Sequence, residues 1–471
     1  MDFPVYIAGR AEAGEGRLEV RNPYDGSAVG SVSLAGPELL ERAIQETGGE
    51  GREALSRYER AEILRRARRL LEERREEFAR LIRLESGLCQ RDTWYETGRT
   101  LDVLEFAAAE ALRDDGQVFS GDISPQGKKR KIFTLREPVL LAAAITPFNH
   151  PLNQVSHKTA PAIAAGAPVI LKPSEKTPLT ALRFTELLYE AGLPGWMLST
   201  LVGPVDPVVN SLVRDERVEL VSFTGSVAAG KRIAATAGYK RLCLELGGNS
   251  PLIVLEDADL ELAARLAAEG SYRNSGQRCT AVKRILVQRS ALKVFTEALV
   301  ERTQDYVCGD PADPATWVGT VIDEAAARRL EGLVRDAVKQ GARVLAGGER
   351  RGALLEPTVI AGVPRDAEMV VWESFGPLAP VLAVEDLDDA IALANGTAYG
   401  LSTGIVTRNL DAALEAVKRI RTGTVNINEV PGYRVENSPF GGVKDSGLGV
   451  KEGVIEAMKT MSNVKTFSLP W

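Results

Sequence analysis

The hydrophobic pattern changes character several times along the chain. Over residues 1–35 short apolar runs alternate with turn residues, Asn22-Pro23-Tyr24-Asp25-Gly26 among them, and predict short strands joined by tight turns. From about residue 39 to 85 the spacing becomes helical. Ile63, Leu64, Leu70, Leu71, Phe78, Leu81 and Ile82 recur among many Arg and Glu, which predicts a solvated helix with one buried stripe and its arginines at the surface. A further helix, from Thr93 to about Arg113, carries Arg99 on a partly apolar segment.

Residues 117–137 differ again. Val118-Phe119 and Lys131-Ile132-Phe133-Thr134 flank Pro125-Gln126-Gly127 and predict an extended hairpin. Such a hairpin is marginal alone, and Val464-Lys465-Thr466-Phe467-Ser468-Leu469 is the strand expected to join it, in this chain or in another copy. Between 138 and 248 apolar runs at 139–145, 169–171, 198–202, 218–223 and 242–246 alternate with helix-like segments at 180–191 and 227–237. Strand and helix in alternation imply a mostly parallel sheet covered on both faces. A second α/β unit is expected from 249 to about 449, with a strand at 284–287, helices at 291–307 and 324–341, and a further segment at 387–395.

Composition narrows the class. At 471 residues more than one core is expected, and 44 % hydrophobic with 26 % charged residues is ordinary globular composition. A net charge of -6 argues against a general nucleic-acid binder. Cys89, Cys243, Cys279 and Cys308 have no CxxC spacing, and with only His150 and His157 there is no HExxH, so no metal site is expected. The first residues lack a basic end followed by an apolar run, and no apolar stretch is long enough to span a membrane, which predicts a cytoplasmic protein.

The candidate chemistry centres on Asn274-Ser275-Gly276-Gln277-Arg278-Cys279-Thr280. A thiol acts as nucleophile only as thiolate, and here Arg278 supplies charge and Asn274, Gln277 and Thr280 supply polar groups. Ligands on open parallel sheets bind beyond the carboxyl ends of the strands. Those ends read Thr146-Pro147-Phe148-Asn149, Lys172-Pro173-Ser174-Glu175 and Thr224-Gly225-Ser226. No GxGxxG follows them, but Gly225-Ser226 opens a helix whose N-terminus suits a phosphate, and Glu175 would accept from ribose hydroxyls while repelling a 2′-phosphate. That favours NAD over NADP.

Together, Pro147-Phe148-Asn149, Lys172-Pro173-Ser174-Glu175, Phe223-Thr224-Gly225-Ser226, Glu245-Leu246-Gly247-Gly248, Gly276-Gln277-Arg278-Cys279, Glu373-Ser374-Phe375-Gly376-Pro377 and Pro439-Phe440-Gly441-Gly442 resemble the aldehyde dehydrogenase superfamily in order and spacing, over essentially the whole chain. The resemblance implies two doubly wound α/β domains and a small oligomerisation sheet. The NAD-binding domain would be residues 1–115 and 137–245, the catalytic domain 246–449, and the bridging segment 116–136 with 450–471. It implies a homodimer or a tetramer built from two dimers. It also implies that Cys279 is the nucleophile, that Asn149 and the Cys279 amide form an oxyanion hole, and that Glu245 is the base for water. Thr146, Pro147, Phe148, Lys172, Ser174, Glu175, Phe223, Thr224, Gly225, Ser226, Leu246, Glu373 and Phe375 would hold NAD. Glu245 favours water over a thiol as acyl acceptor.

Arg99, His150, Arg278 and Arg434 fall at positions that face the substrate tunnel in that superfamily, with Asn153, His157 and Thr280 nearby. Buried guanidinium groups need an anion, and their forks match phosphate-type oxygens. This set, with Ile145-Thr146-Pro147-Phe148-Asn149-His150-Pro151, is similar to that of phosphonoacetaldehyde dehydrogenases and implies oxidation of phosphonoacetaldehyde or the shorter phosphonoformaldehyde. The alternatives are glyceraldehyde 3-phosphate, a carboxylate semialdehyde, or a non-catalytic protein on the same fold.

Overall fold

The computed structural model of the protein describes residues 1–48 and 53–471. Two seven-stranded sheets carry most of it. In the first, the order along the sheet is Arg241–Glu245, Leu220–Thr224, Ala142–Ile145, Val169–Lys172, Leu198–Thr200, Val5–Ile7 and Arg10–Glu12, with the first five strands parallel. Chain order runs outward from Ala142–Ile145 in both directions. Its carboxyl end is therefore a topological switch point, where a crevice opens between connections that leave for opposite faces. The register puts Ile145 opposite Lys172 and Phe223, and Thr224 opposite Glu245. One edge of the sheet thus collects the residues that follow each strand.

The second sheet runs Arg343–Ala346, Thr358–Ala361, Leu378–Val384, Val282–Gln288, Ser250–Val254, Ser402–Val406 and Thr424–Ile427, and only Arg343–Ala346 is antiparallel. The central strands bury both faces, Val282–Gln288 from Val282 to Val287, as helices on each side require. The expected hairpin forms from Val118–Ser120 and Arg130–Pro138, and Ser462–Pro470 of the same chain pairs with it from Pro138 to Arg130. Phe133 and Phe467 face each other in that pairing and stack with ring centroids 5.2 Å apart.

The helical region predicted over residues 39–85 is three helices, Pro37–Glu46, Arg57–Glu73 and Arg75–Ser86, and residues 49–52 of it lie outside the described part. Ser56 and Glu59 close a capping box that starts the second, so the chain enters it with both end groups satisfied. Arg74, at φ -107 and ψ 20, breaks the path to the third. None of the arginines of these helices is buried, as expected, but two of them do more than meet solvent. Arg60 donates to the Ala164 carbonyl at 2.7 Å and Arg66 to the Ala191 carbonyl at 2.7 Å, so both cations cap the C-terminal ends of helices Asn153–Ala165 and Leu179–Glu190. The predicted helix near Thr93–Arg113 is Gln90–Ala111. Among the described residues no helix is long and apolar enough to cross a membrane.

Candidate active site

Cys279 lies on the loop between helix Leu260–Tyr272 and strand Val282–Gln288. Asn274, Ser275 and Gly276 are all left-handed, at φ 59, 52 and 69. A β-carbon at Gly276 would meet the Gly376 carbonyl, so only glycine fits there. Asp92 fixes the start of the turn by accepting the Asn274 amide at 2.7 Å, and Gln277 fixes its far side by accepting the Ile322 amide at 2.9 Å. The polar neighbours expected to activate the thiol are thus largely spent on building the loop.

Asn149 follows strand Ala142–Ile145 and reaches the same loop. Its side-chain amide donates to the Gln277 carbonyl at 2.7 Å, and Asn274 donates to the Asn149 carbonyl at 3.0 Å. Glu245 ends its strand buried, with both carboxylate oxygens lacking a hydrogen-bond partner. Burial, reinforced by the Glu452 carboxylate, pushes its pKa well above the usual carboxylate range. The Cys279 thiol is pushed up to about 11 by burial, with Glu373 and Glu245 adding to the rise and Lys283 and Arg434 opposing it. The expected depression of the thiol pKa is therefore not found, because loss of water outweighs the nearby cations.

Cys279 borders two cavities. One is a cleft of about 730 Å³ along the sheet edge, lined by Pro147, Phe148, Asn149, Thr224, Gly225, Ser226, Glu245, Leu246, Glu373 and Phe375, and also by Lys231, Arg329, Trp372 and Tyr399, which sequence reasoning missed. Ser226 caps helix Val227–Ala237 by accepting the Ala229 amide. A β-carbon at Gly225 would lie 2.5 Å from the Phe223 ring, and one at Gly247 would strike the Glu373 carboxylate, so both glycines keep the cleft open. Thr146, Lys172, Ser174, Glu175 and Phe223 stand beside the cleft rather than on its lining. Lys172 donates to Glu175, so these two meet each other at the neighbouring strand end.

The second cavity is small, about 50 Å³, and is lined by Asp92, Tyr95, Arg99, His150, Gln154, Arg273, Asn274, Arg278, Cys279, Thr280, Gly432, Arg434 and Phe440. Four guanidinium groups converge on it. Arg99, from helix Gln90–Ala111, pairs with Glu436 through both carboxylate oxygens, the second at 3.1 Å. Arg434 lies 3.7 Å from Glu436 and 4.0 Å over the Phe440 ring. Arg278 donates to the Gly270 carbonyl at 3.0 Å, and burial lowers its pKa to about 10. Arg273 stacks 3.9 Å over Tyr95. Arg278 Nε and Arg434 Nη1 are buried without an acceptor.

Two expected pocket residues need correction. His157 is 1 % exposed and sits behind the wall, 2.5 Å from Glu436 Oε2, so it holds that carboxylate rather than the pocket contents. Asn153 is 0 % exposed at the start of helix Asn153–Ala165, and the next residue, Gln154, faces both cavities instead. Successive helical residues point about 100° apart, and the sequence alone does not fix that phase. His150 does line the pocket, 3.5 Å from Glu96, whose other oxygen accepts the Leu152 and Asn153 amides at 2.8 and 2.9 Å. Glu436 and Arg273 were missed. Glu436 is signalled only by its place two residues after Arg434, and its partners come from distant segments.

A family model described as "Aldehyde dehydrogenase family" matches residues 10–467. The chain belongs to that family. It is 38 % identical over 467 residues to a 3-sulfolactaldehyde dehydrogenase of Priestia megaterium (strain ATCC 12872 / QMB1551), covering 99 % of this chain and 98 % of that one. It is 37 % identical over 448 residues to a sulfoacetaldehyde dehydrogenase of Neptuniibacter caesariensis, covering 94 % of this chain and 98 % of that one. The crystal structure of an NADP-dependent glyceraldehyde-3-phosphate dehydrogenase from Bacillus halodurans C-125, complexed with NADP, superposes with a TM-score of 0.96 at 33 % identity, over 100 % of this chain and 99 % of that one. The aldehyde dehydrogenase fold follows for this chain, with its cysteine, asparagine and glutamate brought to one place.

Proposed function

We propose that this aldehyde dehydrogenase oxidises a short aldehyde carrying a phosphonate or sulfonate group to the corresponding carboxylate, using NAD. The observation that carries the reading is a pair of buried donors without acceptors, Arg278 Nε and Arg434 Nη1, on two side chains that line the small cavity Cys279 also lines. A buried guanidinium N–H left unpaired is costly, and a tetrahedral oxyanion supplies the missing acceptors. The sequence pattern points to phosphonoacetaldehyde or phosphonoformaldehyde, while two relatives bear the names of sulfonate-bearing aldehydes. The cradle chemistry is common to both headgroups.

The large cleft fits a dinucleotide. Thr224 Oγ1 is buried there without a partner, Ser226 opens a helix N-terminus suited to a pyrophosphate, and Glu373 with Phe375 would hold the nicotinamide half. Lys172 and Glu175 would take the ribose. When bound, the cofactor supplies the acceptor for hydride. The Cys279 thiol gives its proton to solvent, the thiolate sulfur adds to the aldehyde carbon, the carbonyl oxygen takes up the negative charge, and the Asn149 amide and the Cys279 N–H stabilise it. Loss of hydride from that carbon leaves a thioester on Cys279. Glu245 takes a proton from water, the water oxygen adds to the thioester carbon, and the C–S bond breaks to release carboxylate and restore the thiolate.

The three-stranded sheet exposes Val118, Phe119, Val464, Phe467, Leu469 and Trp471, and a second copy of the chain is the partner proposed for it. The substrate reading is tested by steady-state rates on phosphonoacetaldehyde, sulfoacetaldehyde and propanal. A kcat/KM for an anionic aldehyde about 100-fold or more above that for propanal is expected, the scale of a charge-assisted hydrogen-bond pair. Equal values would overturn it.

A further inference from the structure

Lys283 has no part in the chemistry just described, yet it is buried at 1 % exposure four residues after the nucleophile. It lies on strand Val282–Gln288 and lines neither of the two cavities. Its ammonium donates to the Arg278 carbonyl at 2.5 Å, stands 3.9 Å from Glu373 Oε1, and lies 5.4 Å from the Phe375 ring centroid. A buried lysine is costly and needs a reason for its charge.

The Arg278 carbonyl belongs to the same peptide as the Cys279 amide. That peptide is trans, the one cis bond among the described residues being Asp206-Pro207. In a trans peptide the C=O and N–H point in opposite directions, so anchoring the oxygen fixes the direction of the amide. The amide then points away from Lys283. A cation on the carbonyl oxygen also polarises the peptide and makes its N–H a stronger donor.

We propose that Lys283 is a positioning residue for the nucleophile: it locks the Arg278–Cys279 peptide so that the Cys279 N–H serves the oxyanion, and it places a compensating positive charge behind the thiolate. Glu373 shares the arrangement. It also accepts the Gly248 amide at 3.2 Å, so Lys283 is held between a carboxylate of the large cleft and the backbone of the nucleophile. Burial pulls the lysine pKa down to about 8, with Glu373 and Cys279 opposing the fall. The charge is therefore present below that pH and is lost as pH rises through it.

The experiment is the pH dependence of Cys279 alkylation by iodoacetamide, read by peptide mass spectrometry, together with the rate of the first-turnover NADH burst. In Lys283→Met the alkylation rate at pH 7, where the wild-type lysine is still charged, should fall about tenfold, and the two profiles should converge above about pH 9. The burst rate should fall with it while KM for NAD stays within about twofold, and Lys283→Arg should restore most of both. Superimposable alkylation profiles for the wild-type and Lys283→Met proteins would overturn the proposal. If Lys283→Met does not fold, the wild-type protein alone decides between the same two outcomes. Loss of the lysine charge near pH 8 should flatten the logarithmic alkylation profile below unit slope between about pH 7 and 9, whereas one ionisation at unit slope throughout would sink it.

Discussion

Arg99 and Glu436, separated by 337 positions in the chain, form a two-armed ion pair in the wall of the small cavity. The same carboxylate takes a hydrogen bond from His157 and lies near Arg434, and this hydrogen bond with the two arginines holds its pKa far below the usual range against the effect of burial. Arg99 is therefore already neutralised, whereas Arg278 and Arg434 each keep a buried N–H unspent.

The arginines should accordingly differ in what their loss costs. Arg278→Ala and Arg434→Ala should each lower kcat/KM for a phosphonate or sulfonate aldehyde by about 10²–10³, the scale of losing a buried charged partner. Arg99→Ala should cost less, and none of the three should change the rate on propanal by more than a few-fold. Steady-state kinetics on the paired substrates checks the order.

Removing the Glu436 charge should shift selectivity. Glu436→Gln keeps the shape but adds one net positive charge to the cradle. The ratio of kcat/KM for phosphonoacetaldehyde over sulfoacetaldehyde, measured at pH 8, should rise about tenfold, the size of one additional screened interaction with the extra phosphonate charge.

Glu245 should separate the two halves of the reaction. Glu245→Gln should retain an NADH burst and then stall, with kcat lower by about 10²–10⁴. In the wild-type protein the base must be ionised and its pKa is raised, so a deacylation-limited kcat should rise with pH through a midpoint above the usual carboxylate range. A kcat already at its plateau at pH 5 would contradict this.

Gly276 should tolerate nothing larger. Its φ of 69, and the Gly376 carbonyl standing where a β-carbon would project, predict that Gly276→Ala loses about 1–3 kcal/mol of stability and most alkylation of Cys279. Thermal unfolding and iodoacetamide labelling measure both.

Much of this was readable from the residues because strand ends and motifs are local. The runs ending at Ile145, Leu171, Phe223 and Leu246 marked the strands of the first sheet, and the turn residues after them marked its ligand-facing edge. The joining of Ser462–Pro470 to Arg130–Pro138 was readable for the same reason, since alternating apolar residues need a partner. What escaped depended on helical phase and on distant pairing. Gln154 rather than Asn153 faces the cavities, and His157 turns to Glu436, because a rotation of one residue about the axis redirects a side chain. The carboxylates that balance the cradle come from segments far apart in the chain. The thiol pKa went the other way because neighbouring residue types reveal nearby charge but not how much water is excluded.

Of the side chains proposed to hold the anion, Arg278 belongs to the nucleophile loop, whereas Arg99 sits on helix Gln90–Ala111 and Arg434, with Glu436, on the loop after Thr424–Ile427, neither of which forms the strand ends that place Asn149 and Glu245. Under the proposed function, replacing Arg99, Arg434 or Glu436 should therefore alter what is admitted without shifting the strands beneath the chemistry. On that proposal, a lineage with this architecture could trade one acidic headgroup for another, or for none, through a few changes in its rim.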